Sequence, residues 1–282
     1  MTVSDLADAL RLEPTGTNTY RAHNYELGER GVVFGGQLIA QLIAAGATVD
    51  GSKRVKAANA IFARPVMVAD PVELRVDVLQ AGRTFASATT SLWQDGKERA
   101  RALILLTAEE PDIIRHASPL PDVARPDETA AGANPDVRIV DGIDILDPDV
   151  VADPAVDVWF RRSGGIDGAD RVAVQQGLLA HASASYLIGA AMLPHPGMGQ
   201  AASHAAFSTG IIAHTISFHE TVDIGDWHLL CSRSTYAGNG RTYGTGEVFH
   251  EGGQLVASFS QESMVRHFPE GVSPEGQEST IL

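Results

Sequence analysis

An α+β fold is predicted, with two antiparallel sheets each wrapped around a central apolar helix. Three observations predict it. Residues 31–49 and 172–194 are two stretches without a charged side chain. Each is followed by four strand-like runs joined by hairpin-type connections, the pattern of an antiparallel sheet. The last hairpin, NGRTYGTGEVFHEGGQLVASFSQ at 239–261, has a paler copy in the first half, where Gly82-Arg83-Thr84 matches Gly240-Arg241-Thr242, Phe85 matches Tyr243, and the turn Asp95-Gly96 matches Glu251-Gly252-Gly253. The fold unit is therefore duplicated.

In chain order, MTVSDLADALRLEP has acidic residues and no long apolar core, so it reads as a short surface helix and not as a signal peptide. The stretch 31–49 is long enough to raise a membrane span, but Gln37 and Gln41 oppose lipid, as do Gln175, Gln176 and His181 in 172–194. A helix apolar nearly all round has to be covered on most sides, which makes both stretches buried central helices. Strands are expected at 55–64, 72–80, 84–94 and 98–108, then at 211–219, 228–237, 242–250 and 254–266. The run Val72-Glu73-Leu74-Arg75-Val76-Asp77-Val78 alternates cleanly and so has one buried face. Residues 110–149 shift to Pro, Asp and Ala, as an inter-domain linker does; residues 156–162 then begin the strands of the second unit. The expected division is an N-terminal domain 1–112, a linker 113–136, a C-terminal domain 137–270 and a loose tail 271–282. A sheet curled around one apolar helix is the hotdog arrangement, and two copies make a double hotdog.

The 282 residues carry a formal net charge of −14, which disfavours nucleic acid or an anionic membrane surface as partner. Apolar residues make up 44%, enough for substantial cores, so wholesale disorder is excluded. The one cysteine, Cys231, excludes an internal disulfide. A soluble cytoplasmic protein is expected.

Five short motifs in order, VFGGQL at 33–38, FARP at 62–65, VWFRR at 158–162, ISFHE at 216–220 and SQESMVR at 260–266, resemble the type II acyl-CoA thioesterases, the TesB-like double-hotdog enzymes. The resemblance implies hydrolysis of fatty acyl-CoA to free acid and CoA, no metal or cofactor, a place in fatty acid metabolism, and pairing of whole chains into a homodimer or higher homo-oligomer. It also implies a catalytic Asp on the second helix, a Thr shortly before the histidine-containing strand, and a Gln on the last strand. Carried over, the Gln is Gln261. The Asp position is Ala184 and the Thr position is Ile211, with Ser208 and Thr209 nearby. The substituted positions leave a second reading, a catalytically silent acyl-CoA-binding or assembly protein.

Thioester hydrolysis needs an activated water, donors for the carbonyl oxyanion and a mostly dry slot. Gly35 and Gly36, at the start of the first helix, suit the donor role because first-turn N–H groups lack intrahelical partners and the dipole favours negative charge. The same glycines equally suit close helix–sheet packing. Gln261 cannot ionise, but it can hold and orient a water. His181 lies three residues before Ala184 on the same helix face, and a reference pKa near 6.5 suits a base; the plainer reading is a buried histidine bonded to a backbone carbonyl. Ser183 and Ser185 are expected to point elsewhere or pack on the sheet. His214 is a candidate for lining the same cavity.

His214 and His219 fall on opposite strand faces and do not suggest a metal site. The glycines at 238–244 are turn chemistry and not a dinucleotide fingerprint. The absence of a Gly-x-Ser-x-Gly elbow removes local support for a serine-hydrolase mechanism. Asp223 and His228 have hydratase-like spacing without its sequence context. Arg161, Arg162, Arg64, Arg83 and Arg241 are the arginines best placed for CoA phosphates, with turn stabilisation the default for Arg83 and Arg241.

Overall fold

The computed structural model of the protein describes residues 3–25, 31–130, 134–163, 171–203 and 206–268; the expected loose tail, 271–282, lies outside the described residues. Helix α1 (Val3–Ala9) and the hairpin β1 (Glu13–Gly16) and β2 (Thr19–Ala22) precede α2 (Gly35–Ala47), β3 (Arg54–Phe62), β4 (Val72–Ala81), β5 (Phe85–Gln94) and β6 (Lys97–Thr107). The second half comprises β7 (Val137–Ile139), β8 (Ala155–Phe160), α3 (Arg171–Ser183), α4 (Leu187–Met192), β9 (Ser208–Phe218), β10 (His228–Gly238), β11 (Arg241–His250) and β12 (Leu255–Arg266).

The two expected sheets are one. Twelve strands run in the order β1-β2-β4-β5-β6-β3-β9-β12-β11-β10-β8-β7, joined at the centre by the antiparallel pair β3–β9. There the Thr215 hydroxyl donates to Asn59 Oδ1 across the joint, at 3.2 Å. The order β4-β5-β6-β3 meets its mirror β9-β12-β11-β10, as two subunits of a symmetric dimer would. The duplication extends to irregularities of the ladder. Lys56 in β3 and Ile212 in β9 are each left unpaired by a bulge, as are Leu79 and Thr235, and Arg99 and Val256. The hairpin tips Asp95-Gly96 and Asn239-Gly240 have positive φ at both residues, as tight two-residue hairpins require.

Helix α2 is buried from Gly36 to Gly46, with the sheet on one side and α3 on the other. A Cβ on Gly36 would stand 2.9 Å from the His181 carbonyl oxygen and 2.5 Å from the Phe34 ring. Only glycine lets the two helices approach this closely. The predicted second helix is broken. At its end the bonds tighten to Ala184 N–H→His181 O and Ser185 N–H→Ala182 O, while the Ser183 and Ser185 hydroxyls donate back to Ala180 O and His181 O. Such side-chain bonds compete with helix propagation, and α4 restarts after Tyr186.

Helix α1 is less superficial than expected: Leu6, Ala9 and Leu10, the last just beyond it, are buried in the core. The proline-rich segment is also more than a tether. Leu120 and Val123 pack on the outer-face cluster of Trp159, Leu229, Cys231 and Phe249, and Trp159 Nε1–H donates to Ala124 O at 2.8 Å. The outer face of the first half has no such cover, and Ile61 and Leu103 are 60% and 56% exposed there.

Gly246 on β11 faces inward. A Cβ there would overlap the Phe259 ring and stand 2.5 Å from the Cys231 carbonyl. Gly246→Ala is expected to destabilise by about 2 kcal/mol and to lower Tm by roughly 5 °C, measured by thermal denaturation. An unchanged Tm would show that Phe259 moves aside without cost.

Candidate active site

The start of α2, the end of α3 and the inner faces of β9 and β12 converge. Gly36 lies under His181 of α3, and a Cβ on Gly35 would stand 3.3 Å from Ile211 Cδ1 on β9. Ile211 and His214, three apart, would alternate to opposite faces in a regular strand. The bulge at Ile212 cancels one step and turns both inward.

His214 and Gln261 are direct partners in the β9–β12 ladder. Gln261 Nε2–H donates to Ser263 Oγ at 3.0 Å, which leaves Oε1 to accept from His214 Nδ1–H at 3.1 Å. The other ring nitrogen, Nε2, therefore carries the lone pair, and it faces Ser183 Oγ at 2.9 Å. The single Ser183 proton has two acceptors in reach, His214 Nε2 and Ala180 O at 2.8 Å. Phe259 stacks against the imidazole, with ring centroids 5.9 Å apart. All three side chains of the chain Ser183–His214–Gln261 are buried. Burial lowers the His214 pKa to about 4, against the opposing effect of the Gln261 hydrogen bond, so the imidazole is neutral at physiological pH.

The His181 ring stands apart from this hydrogen-bonded chain. It packs edge-on to Phe34 at 5.2 Å, and neither ring nitrogen has a hydrogen-bond partner among the described residues; the expected backbone carbonyl partner is not there. Burial, with the nearby Arg162 guanidinium adding to it, lowers the His181 pKa to about 3. Ala184 follows Ser183 directly and is buried in the core. Thr209 is buried two residues from Ile211 on the same strand. Phe34, the N-cap of α2, supplies no side-chain cap, so no side chain at that position competes for the first-turn N–H groups near Gly35 and Gly36.

Ser183 is the member that the sequence reading left out: it packs on the sheet as expected, but against a histidine. The signal available was an even count of residues from buried Phe218 back to His214, which turns His214 inward toward the helix. His219 is on the other face, bonded to Ser258 Oγ at 2.9 Å and close to Lys56 Nζ at 3.2 Å. Asp223 is engaged by Arg171 and Gln175, and His228 by the Asp226 carbonyl, so that pair forms no unit. Of the arginines, Arg64 donates to Glu98 O, Arg161 pairs with Asp136 at 3.0 Å, Arg241 donates to the adjacent turn carbonyl of Gly240, and Arg83 is exposed. Arg162 is half-buried, and its Nε has no partner among the described residues.

Among the described residues, the first half has no equivalent constellation. Four residues before Phe62 and Phe218, which end β3 and β9, stand Ala58 and His214; their ladder partners are Ile104 and Gln261. The duplicated position is apolar.

Two family profiles match consecutive halves of the chain: the acyl-CoA thioesterase N-terminal domain over residues 26–107 and the acyl-CoA thioesterase C-terminal domain over residues 115–265. Acyl-CoA thioesterase 2 of Haemophilus influenzae is 25% identical over 94% of this chain and 98% of its own length. Mouse acyl-coenzyme A thioesterase 8 is 22% identical over 94% and 90%. Among solved structures, the acyl-CoA thioesterase II TesB2 of Mycobacterium marinum superposes with a TM-score of 0.78 at 25% identity, covering 95% of this chain and all of that one. A tesB protein of Mycobacterium avium gives 0.79 at 21% identity over 94% and 99%. With both halves matched and the double-hotdog architecture shared end to end, the chain belongs to the acyl-CoA thioesterase family.

Proposed function

We propose that the protein hydrolyses fatty acyl-CoA thioesters to free acid and CoA, with His214 as general base in place of the carboxylate that Ala184 lacks. The supporting observation is the Gln261–His214–Ser183 chain, which fixes a neutral imidazole with its Nε2 lone pair facing Ser183 Oγ. In this reading His214 Nε2 takes the proton of the attacking hydroxyl. Gln261 holds the tautomer through Nδ1–H, and Ser263 holds Gln261. The N–H groups near Gly35 and Gly36 receive the carbonyl oxygen as it becomes an oxyanion, where a helix N-terminus favours negative charge. His181, whose ring nitrogens meet neither His214 nor Gln261, takes no part in proton transfer in this reading, and no metal or cofactor is needed. Ile211 fills the Thr position with an alkyl wall.

The division at 113–136, a cytoplasmic location and assembly into a homodimer or larger homo-oligomer belong to the same reading. The uncovered outer face around Ile61 and Leu103 supports the assembly. Among the described residues, no helix is long and apolar enough to cross a membrane.

Thiol release from acyl-CoAs of increasing chain length tests the activity. A general base works in its neutral form, so turnover falls only as pH drops through its pKa. With His214 lowered to about 4, kcat/KM is expected to be flat from pH 6 to 9. A limb centred at 6–7 would point to a base of ordinary histidine pKa and remove His214 from the role. Gln261→Ala is expected to lower kcat by about 10²-fold, because the imidazole loses the partner that fixes its tautomer. Tight acyl-CoA binding with no thiol release at any chain length would instead establish the binding-protein reading.

A further inference from the structure

We propose that Ser183 is the nucleophile of this reaction, so that the acyl group passes through an ester on Ser183 Oγ before water receives it. This rests on the thioesterase reading above and specifies its first step. Nucleophile, base and orienting group are recognised by mutual geometry and not by sequence position. Here the three contacts are Oγ to His214 Nε2 at 2.9 Å, His214 Nδ1 to Gln261 Oε1 at 3.1 Å, and Gln261 Nε2 to Ser263 Oγ at 3.0 Å.

Three features favour the serine over a water as first attacker. The hydrogen-bonding position on His214 Nε2 is already taken by Ser183 Oγ, so a water served by the same lone pair would first have to displace it. The tautomer is the one a nucleophilic serine needs, because Gln261 Oε1 accepts only and so forces the Nε2 lone pair toward Oγ. The acceptor side is near as well: Gly36 packs against the carbonyl of His181, two residues before Ser183, which sets the α2 first turn beside the end of α3. The missing nucleophile elbow does not oppose this. An elbow presents its serine at a strand-to-helix turn, whereas this serine is presented at a helix end, where the break between α3 and α4 aims it at β9.

The step balances as follows. The Ser183 Oγ–H proton passes to His214 Nε2 as the Oγ–C bond forms and the carbonyl becomes an oxyanion. The tetrahedral species collapses, the C–S bond breaks, and the CoA thiolate takes the proton from His214. Water then attacks the acyl ester and gives one proton to His214, which returns it to Ser183 Oγ as the carboxylic acid leaves.

The test uses the intact protein with an acyl-CoA that it turns over. Ser183→Ala is expected to lower kcat at least 10³-fold while acyl-CoA affinity changes less than about threefold, and acid-quenched Ser183→Cys to carry the acyl mass on the peptide containing residue 183. Product partitioning in wild-type protein decides independently of any variant. With methanol added, the ratio of methyl ester to acid is expected to be the same for acyl-CoA and for the acyl-pantetheine analogue, since one acyl-enzyme forms from both. A folded Ser183→Ala with turnover within tenfold of wild type, or a ratio that changes with the leaving group, overturns the proposal and leaves the thioesterase reading standing. If wild-type protein releases no thiol from any acyl-CoA, both fail.

Discussion

His214→Gln is expected to lower kcat/KM by about 10²–10⁴-fold, the range that a positioned general base supplies, equivalent to roughly 3–5 kcal/mol of transition-state stabilisation. Glutamine is chosen because it can still hydrogen-bond to Ser183 and Gln261 but cannot accept a proton at any working pH. The buried partners are not stranded, and a loss of rate is not confused with a loss of fold. The same substitution at His181 is the control. His181 is as deeply buried and lies on the catalytic helix, yet its ring nitrogens meet no group of the Ser183–His214–Gln261 chain. Steady-state thiol release should therefore fall for the β9 histidine and stay within tenfold of wild type for the α3 histidine. The reverse ranking would place the base on α3 and leave the Ser183–His214 contact a structural hydrogen bond.

That contrast marks how far the site could be read from the sequence. The uncharged stretch that becomes α2 announces its burial, because no solvated face is available for charge. The Gly-Arg-Thr repeated at the entry to β5 and β11 announces the duplication. Gln261 and the inward turn of His214 follow from motif and period. The inward turn of Ile211 does not, because the bulge at Ile212 is a property of the β9–β12 pairing and not of local composition. For the same reason the sequence suggests two sheets: whether β3 and β9 pair depends on register between residues far apart in the chain, fixed by contacts such as Asn59–Thr215. The break after Ser183 is half-legible. The serines that disrupt α3 are visible, but their partners, Ala180 O and His214, appear only once the helix lies on the sheet. Histidine pKa values are the least legible of all. A reference value near 6.5 made His181 attractive as a base, and burial removes that attraction.

The same burial makes the fold acid-sensitive. His181, His214 and His228 have pKa values lowered to about 3, about 4 and about 4, in each case chiefly by burial. In the unfolded chain each would titrate near 6.5. Between those values the unfolded state binds more protons than the folded state, so stability rises with pH across the window and is lost as pH falls below about 6.5. Each histidine removes up to about 1.4 kcal/mol per pH unit. From pH 6.5 to 5 the three together remove about 5 kcal/mol, comparable to the whole stability of a marginal domain, about 5–15 kcal/mol. Tm is therefore expected to be nearly constant from pH 7.5 to 9 and to fall steeply between 6.5 and 5. His181→Phe isolates one contribution. Neither ring nitrogen has a partner to lose among the described residues, and an aromatic ring keeps the edge-on contact with Phe34. The variant should lose about a third of the acid slope whatever its absolute Tm at pH 7.5. A Tm that holds steady from pH 7 to 5 in the parent protein would mean that these imidazoles reach solvent and protonate in place, and it would remove the physical basis for a neutral His214.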